Sequence, residues 1–157
     1  MGDSLGRPGT CPTCFKILVI AYGNPVREDD GIGWRAAELL ENKVDAEIVY
    51  AQQLMPELAA RLEPASLVIF FDASLEQEPG GVQCRPIHAE DPAGWSHHLS
   101  PGQLLALTKQ LNGAIPAAFL ITGGAMRMEL GDRLTEAGQR AAQRMAEVAA
   151  TAISLAT

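Results

Sequence analysis

Three short runs of unbroken apolar residues constrain this chain more than any other feature: "FKILVIAYG" (15–23), "SLVIFFDAS" (66–74) and "AAFLIT" (117–122). Each is rich in β-branched or aromatic residues and too short for a buried helix. Such runs are buried on both faces, as in a parallel sheet covered by helices. The segments between them carry helical spacing. Ile32, Ala36, Leu39 and Leu40 predict a first helix over 31–42, and "AEIVYA" (46–51) a further strand. Pro56 suits a helical first turn, with Leu58, Ala59 and Leu62 behind it. "EPGG" (78–81) is a turn, and "VQCRPI" (82–87) a short strand whose Pro86 favours an edge. Because a turn joins this strand to the 66–74 run, the expected antiparallel edge pair is those two.

"SPGQLLALTKQL" (100–111) begins with Ser100 as N-cap, Pro101 at the first helical position and Gln103 placed to close a capping box. A terminal helix is expected from about 134 to 155, with an apolar face through Leu134, Ala141, Met145, Val148, Ala152 and Leu155. Alternating strands and helices specify an α/β fold: a three-layer, mainly parallel five-stranded sheet with one short antiparallel edge strand and helices on both faces. The 157 residues fit one domain over 15–157, preceded by a Gly/Pro-containing arm over 1–14.

A net charge of −7 with scattered Lys and Arg excludes a nucleic-acid interface. No run reaches the roughly 20 residues of a membrane span, and "MGDSLGRPGTCPTC" lacks the basic and apolar regions of a signal peptide. A soluble cytoplasmic protein with reduced thiols is expected. Cys11 and Cys14 form a C-x-x-C pair, but they precede the first strand, and a zinc site would need further ligands from Cys84, His88, His97 or His98. A plain N-terminal arm is the simpler reading.

In open α/β sheets the ligand crevice lies beyond the carboxyl ends of the strands. Glu28, Asp29 and Asp30 follow the first strand within "YGNPVREDDGIG", Asp72 ends the third, and His97 and His98 precede the 100–111 helix. Three carboxylates would repel a phosphate, and the spacing is neither G-x-G-x-x-G nor a P-loop. The cluster suits a cation. Two carboxylates and an imidazole are a common ligand set for a divalent transition metal. The plainer alternatives are that Asp30 caps the first helix, that Glu28 and Asp29 lie on solvated surface, and that the histidines are ordinary loop residues. Asp72 is harder to explain so, since a charge after "LVIFF" must be paired or placed at the strand's wet end.

Taken together, "ILVIAYGNPVREDDGIG", "VIFFDAS" and "SHHLSPGQLLAL" resemble the nickel–iron hydrogenase maturation endopeptidases over most of residues 15–123. The resemblance implies that Asp30, Asp72 and His97 bind a metal ion and carry catalysis, with His98 in place of His97 if the loop register shifts by one. It also implies an endopeptidase that removes the C-terminal extension of a hydrogenase large-subunit precursor after nickel insertion. The nickel would arrive with the substrate, so the partner is that precursor, and an enzyme docking once on it can work as a monomer without nucleic acid or membrane. Departures are the cysteine-bearing arm and "TGGAMRMELGD" after the last strand, either a partner-selecting loop or a connector. "QQLMPELA" (52–59) is a further candidate for substrate contact. The rival from another class is a non-catalytic nickel-sensing or metal-binding chaperone using the same three residues. A serine hydrolase is disfavoured because G-x-S-x-G is absent.

Overall fold

The computed structural model describes residues 15–91 and 98–157. The 1–14 arm, with Cys11 and Cys14, and the expected ligand His97 lie outside the described residues. The elements follow in the order β1 (Ile17–Tyr22), α1 (Ile32–Leu40), β2 (Glu47–Ala51), α2 (Ala59–Leu62), β3 (Leu67–Ser74), β4 (Val82–Pro86), α3 (Pro101–Asn112), β5 (Ala117–Gly124) and α4 (Glu136–Ala156). Short 3-10 turns over Glu28–Gly31 and Pro56–Leu58 lead into α1 and α2.

The sheet runs β2-β1-β3-β5-β4, parallel except for β4 against β5. Period-2 alternation distributes the apolar runs to two cores. Val19, Ala21, Ile69, Phe71 and Ile121 pack under α1 and α4. Leu18, Ile20, Val68, Phe70 and Leu120 pack on the opposite face with Leu62 of α2 and Leu104 and Leu105 of α3. Right-handed crossovers produce this division, because β1 leads to β2 on one side and the chain then returns past β1 to β3 on the other.

The expected pairing of β4 with β3 does not occur: β5 lies between them, parallel to β3 and antiparallel to β4. The 78–81 turn crosses the end of β5 instead of folding straight back. Gly80 N donates to Gly124 O, and Gly124 N donates to Gly81 O. A Cβ on Gly124 would stand 1.9 Å from the Glu78 carbonyl oxygen, so only glycine admits the crossing. β5 consequently extends through both glycines, two residues beyond the expected strand.

The N-terminus of α3 is as read: the Ser100 side chain accepts from Gln103 N, Gln103 Oε1 accepts from Ser100 N, and Pro101 occupies the first turn. The face of α4 differs from expectation. Ala137, Ala141, Ala142, Met145, Ala149 and Ile153 are buried, whereas Leu155 is 84% exposed. Small alanines, easily overlooked beside the larger residues, let α4 approach α1 and the sheet closely.

Candidate active site

The site begins with the turn after β1. Gly23 has φ +142°, and a Cβ there would lie 2.2 Å from Asp30 O, so the chain folds back on itself where a side chain would block it. Asn24 closes the loop: its Oδ1 accepts from Val26 N, its carbonyl accepts from Arg27 N, and its own N–H donates to Asp30 Oδ2 at 2.9 Å. Asp30 is therefore held by one oxygen in a partly exposed position. The helix-capping alternative does not apply, because the residue at the N-cap of α1 is Gly31 and no side chain caps it.

The neighbouring carboxylates do other work, and the expectation that Glu28 and Asp29 lie on solvated surface is overturned. Asp29 is wholly buried. It accepts from Met126 N at 2.8 Å, Thr135 N at 2.8 Å and Thr135 Oγ1 at 2.7 Å. Three donors replace the water it has lost. Thr135 Oγ1 also accepts from Gly138 N and so caps α4. Glu28, at φ +48°, pairs with Arg127 Nε at 3.0 Å and accepts from Glu129 N. Together with Glu28 N to Gly131 O and Gly131 N to Val26 O, these bonds fasten the 125–135 segment onto the acidic turn. The acidic triplet thus divides by role. Asp29 and Glu28 are anchors, and Asp30 keeps one oxygen without such a tie in a partly exposed position.

Asp72, near the end of β3, is the second member. β1 and β3 are adjacent and in register through Ala21 and Phe71, so Tyr22 and Asp72 come next, side by side on the face covered by α2 and α3. Ala73 N donates to Asp72 Oδ1 at 2.7 Å. Desolvation by burial is the main force on Asp72, pushing its carboxyl from 3.8 up to about 6. The Ala73 hydrogen bond and the polar Tyr22 hydroxyl nearby oppose that shift, while the like charge of Asp30 adds to it. Burial and the Asp72 charge raise the Tyr22 hydroxyl, with Arg85 pulling the other way. Asp30 and Asp72 are thus electrostatic neighbours at the switch point between β1 and β3, where sheet order reverses and α/β ligands bind.

Of the three expected ligands, Asp30 and Asp72 lie within electrostatic reach of each other, and His97 lies outside the described residues. His98 is exposed beside Leu99, whose N–H bonds Leu54 O just before α3. Leu99 packs on the α2 and α3 side of the sheet, the face that carries Asp72. Among the described residues no group of three His, Cys, Asp or Glu is disposed to hold a metal ion. A half-buried carboxylate that feels the charge of a second one is nevertheless a fitting half of a cation site, since a positive charge relieves both the desolvation and the mutual repulsion. Sequence reading missed Tyr22, although its place at the end of β1 marks it, and it missed the role of Asp29, for which no local signal exists.

No family model and no curated sequence matches the chain. Solved structures do match. Hydrogenase maturating endopeptidase HybD from E. coli superposes with a TM-score of 0.73 at 24% identity, over 90% of this chain and 94% of that one. The [NiFe] hydrogenase maturation protease HybD from Thermococcus kodakarensis gives 0.71 at 21%, over 88% and 99%. The [NiFe] hydrogenase maturation protease HycI from Thermococcus kodakarensis KOD1 gives 0.71 at 23%, over 91% and 95%. With nearly the whole length of each molecule superposed and the same layered sheet, this chain has the fold of the hydrogenase maturation endopeptidases.

Proposed function

We propose that this protein is an endopeptidase that removes the C-terminal extension of a nickel–iron hydrogenase large-subunit precursor once nickel has been inserted. The observation that carries the reading is the Asp30–Asp72 pair at the β1/β3 switch point. In a fold shared with proteins named as hydrogenase maturation endopeptidases, such a carboxylate pair suits a cation presented by another molecule. The sequence resemblance supports the same assignment.

Asp30, Asp72 and His97 contact the precursor's nickel, with His98 as the alternative imidazole from the same loop. Three side chains leave room for a metal that already carries ligands from its own protein. Nickel is here part of the substrate and not a resident cofactor. Amide hydrolysis requires a polarised carbonyl and a group to take a proton from water. Asp72, with its carboxyl near 6, is a base of useful strength at neutral pH. Water adds to the carbonyl carbon as its proton passes to the carboxylate, the C–N bond then breaks, and the proton leaves on the new amine. The protein acts on its precursor in the cytoplasm as a monomer, and no helix among the described residues is long and apolar enough to cross a membrane.

The test is intact-mass analysis of nickel-loaded and nickel-free precursor before and after incubation with the protein. Loss of a discrete C-terminal fragment only from the loaded sample is the expected result. A stable complex with no change in mass would replace the endopeptidase with a nickel-sensing chaperone.

A further inference from the structure

Beside the acidic turn lies a cavity of about 540 Å3 that the cleavage chemistry does not use. Its volume falls within the roughly 300–1,000 Å3 of sites that hold a ligand. Pro25 and Gly31, which bracket the turn and so flank Asp30, form part of its wall. Trp34 and Leu134 give it apolar surface. The indole is fixed in place, because its Nε1 donates to Ala51 O at 2.9 Å and its ring centre lies 5.3 Å from that of Tyr50. A side chain can therefore pack on it without first having to order it. Charges of both signs complete the lining. Arg35 is paired with Glu38 at 3.3 Å, but Asp132 and Arg133 are exposed, and neither forms an ion pair among the described residues.

Those two unpaired charges decide which class of molecule fits. A simple anion drawn to Arg133 would meet the carboxylate of Asp132 in the same cavity, on a chain whose net charge is already −7. A polypeptide satisfies both at once, offering an acidic side chain to Arg133, a backbone N–H to Asp132 and an apolar side chain to Trp34. Its location points the same way, since a molecule whose metal meets Asp30 has the cavity wall at the next residue, Gly31. We propose that this cavity is a docking site for the hydrogenase precursor, taking an extended segment of it that carries an acidic side chain for Arg133 beside an apolar one for Trp34. The inference rests on the reading of the precursor as partner. It assigns the holding of the polypeptide to Trp34 and Arg133, apart from the metal contacts of Asp30 and Asp72. The competing explanation is that the cavity is only the seam where the 131–135 segment meets α1, with Arg133 a solvated surface charge.

Charge reversal separates the two. Affinity of the full-length protein for nickel-free and for nickel-loaded precursor is measured by surface plasmon resonance with wild type, Arg133→Glu, Arg133→Lys and Arg144→Glu, and melting temperature is recorded for each. Arg144 is exposed on α4, forms no ion pair among the described residues and lies outside the cavity lining, so Arg144→Glu reports what the change in net charge alone does. Arg133→Glu is expected to weaken binding of both precursor forms about 10- to 100-fold, because two carboxylates then face the incoming acidic side chain. Arg133→Lys and Arg144→Glu are expected to bind close to wild type, and all four proteins to melt alike. Unchanged affinity in Arg133→Glu, an equal loss in Arg144→Glu, a loss confined to one precursor form, or no binding of either form by wild type would each overturn the docking site. Precursor cleavage assayed in parallel keeps the two readings apart. Arg133-dependent binding without cleavage by wild type would sink the endopeptidase and leave the docking site standing, whereas cleavage by wild type with an unaltered KM in Arg133→Glu would do the reverse.

Discussion

Two aspartates one residue apart in sequence have opposite fates. Asp29 is wholly buried on three donors, and Asp30 is held by one and left in the crevice. Asp29→Ala would strand Met126 N and the Thr135 donors, and loosen the α4 cap with them. A loss of about 2–4 kcal/mol is expected, which for a domain of this size lowers the melting temperature by roughly 5–15 °C. Thermal denaturation of that variant beside Asp30→Ala, expected to melt close to wild type, checks the division of labour. Asp72 carries a pH signature of its own. Its folded carboxyl lies near 6 against 3.8 for the ordinary group, so the folded state keeps a proton that the unfolded chain gives up. Its contribution to stability is full below 3.8 and is lost as pH rises through about 6, by about 2–3 kcal/mol. Asp72→Asn should remove that decline and be more stable than wild type at pH 7 while losing cleavage. A denaturant midpoint at pH 7 no higher than wild type would contradict this account of Asp72.

At the level of elements, what could be read from the sequence was what is decided locally. Ser100, Pro101 and Gln103 specify the start of α3 within four residues, and the structure has the capping box in full. Replacing Ser100 by Ala removes the acceptor for Gln103 N and should cost about 1 kcal/mol, measurable as a shift in urea midpoint with unchanged slope. The apolar runs likewise determined which segments become strands, because burial on both faces leaves no alternative period. The partner of β4 was not legible, since it depends on β5 entering the sheet some 30 residues later and on Gly124 admitting the 78–81 turn. The anchoring of 125–135 was hidden for the same reason. Asp29 and its donors are 97 and 106 residues apart in sequence, and no spacing rule links them. Asp30 and Asp72 were singled out because acidic residues following the carboxyl ends of buried strands lie where α/β sheets bind ligands.

Across the whole molecule, the placement of the site follows from which strands are central. β1 and β3 are each flanked by parallel neighbours and covered by helices on both faces, so their backbone groups are reached by water only when the sheet opens as a unit. β2 and β4 are edges, and β4 is largely exposed. Tyr22 and Asp72 stand on the central pair, and the 125–135 segment is fastened to the acidic turn that carries Asp30. A carboxylate at the end of a central strand is held by the part of the sheet that opens last. Native-state hydrogen exchange should therefore show three tiers. Amides of β1 and β3 exchange only through global unfolding, those of β4 and the short α2 through smaller openings, and those of the largely exposed 41–45 turn fastest. Slower exchange in β4 than in β1 would mean that the sheet is not stabilised from its centre, and a rigid central pair could no longer be what holds Asp72 in place. Equal protection in β1 and β3 but rapid exchange at Ala73 would place the weakness at the strand end itself, where the Ala73 N–H to Asp72 Oδ1 bond is made.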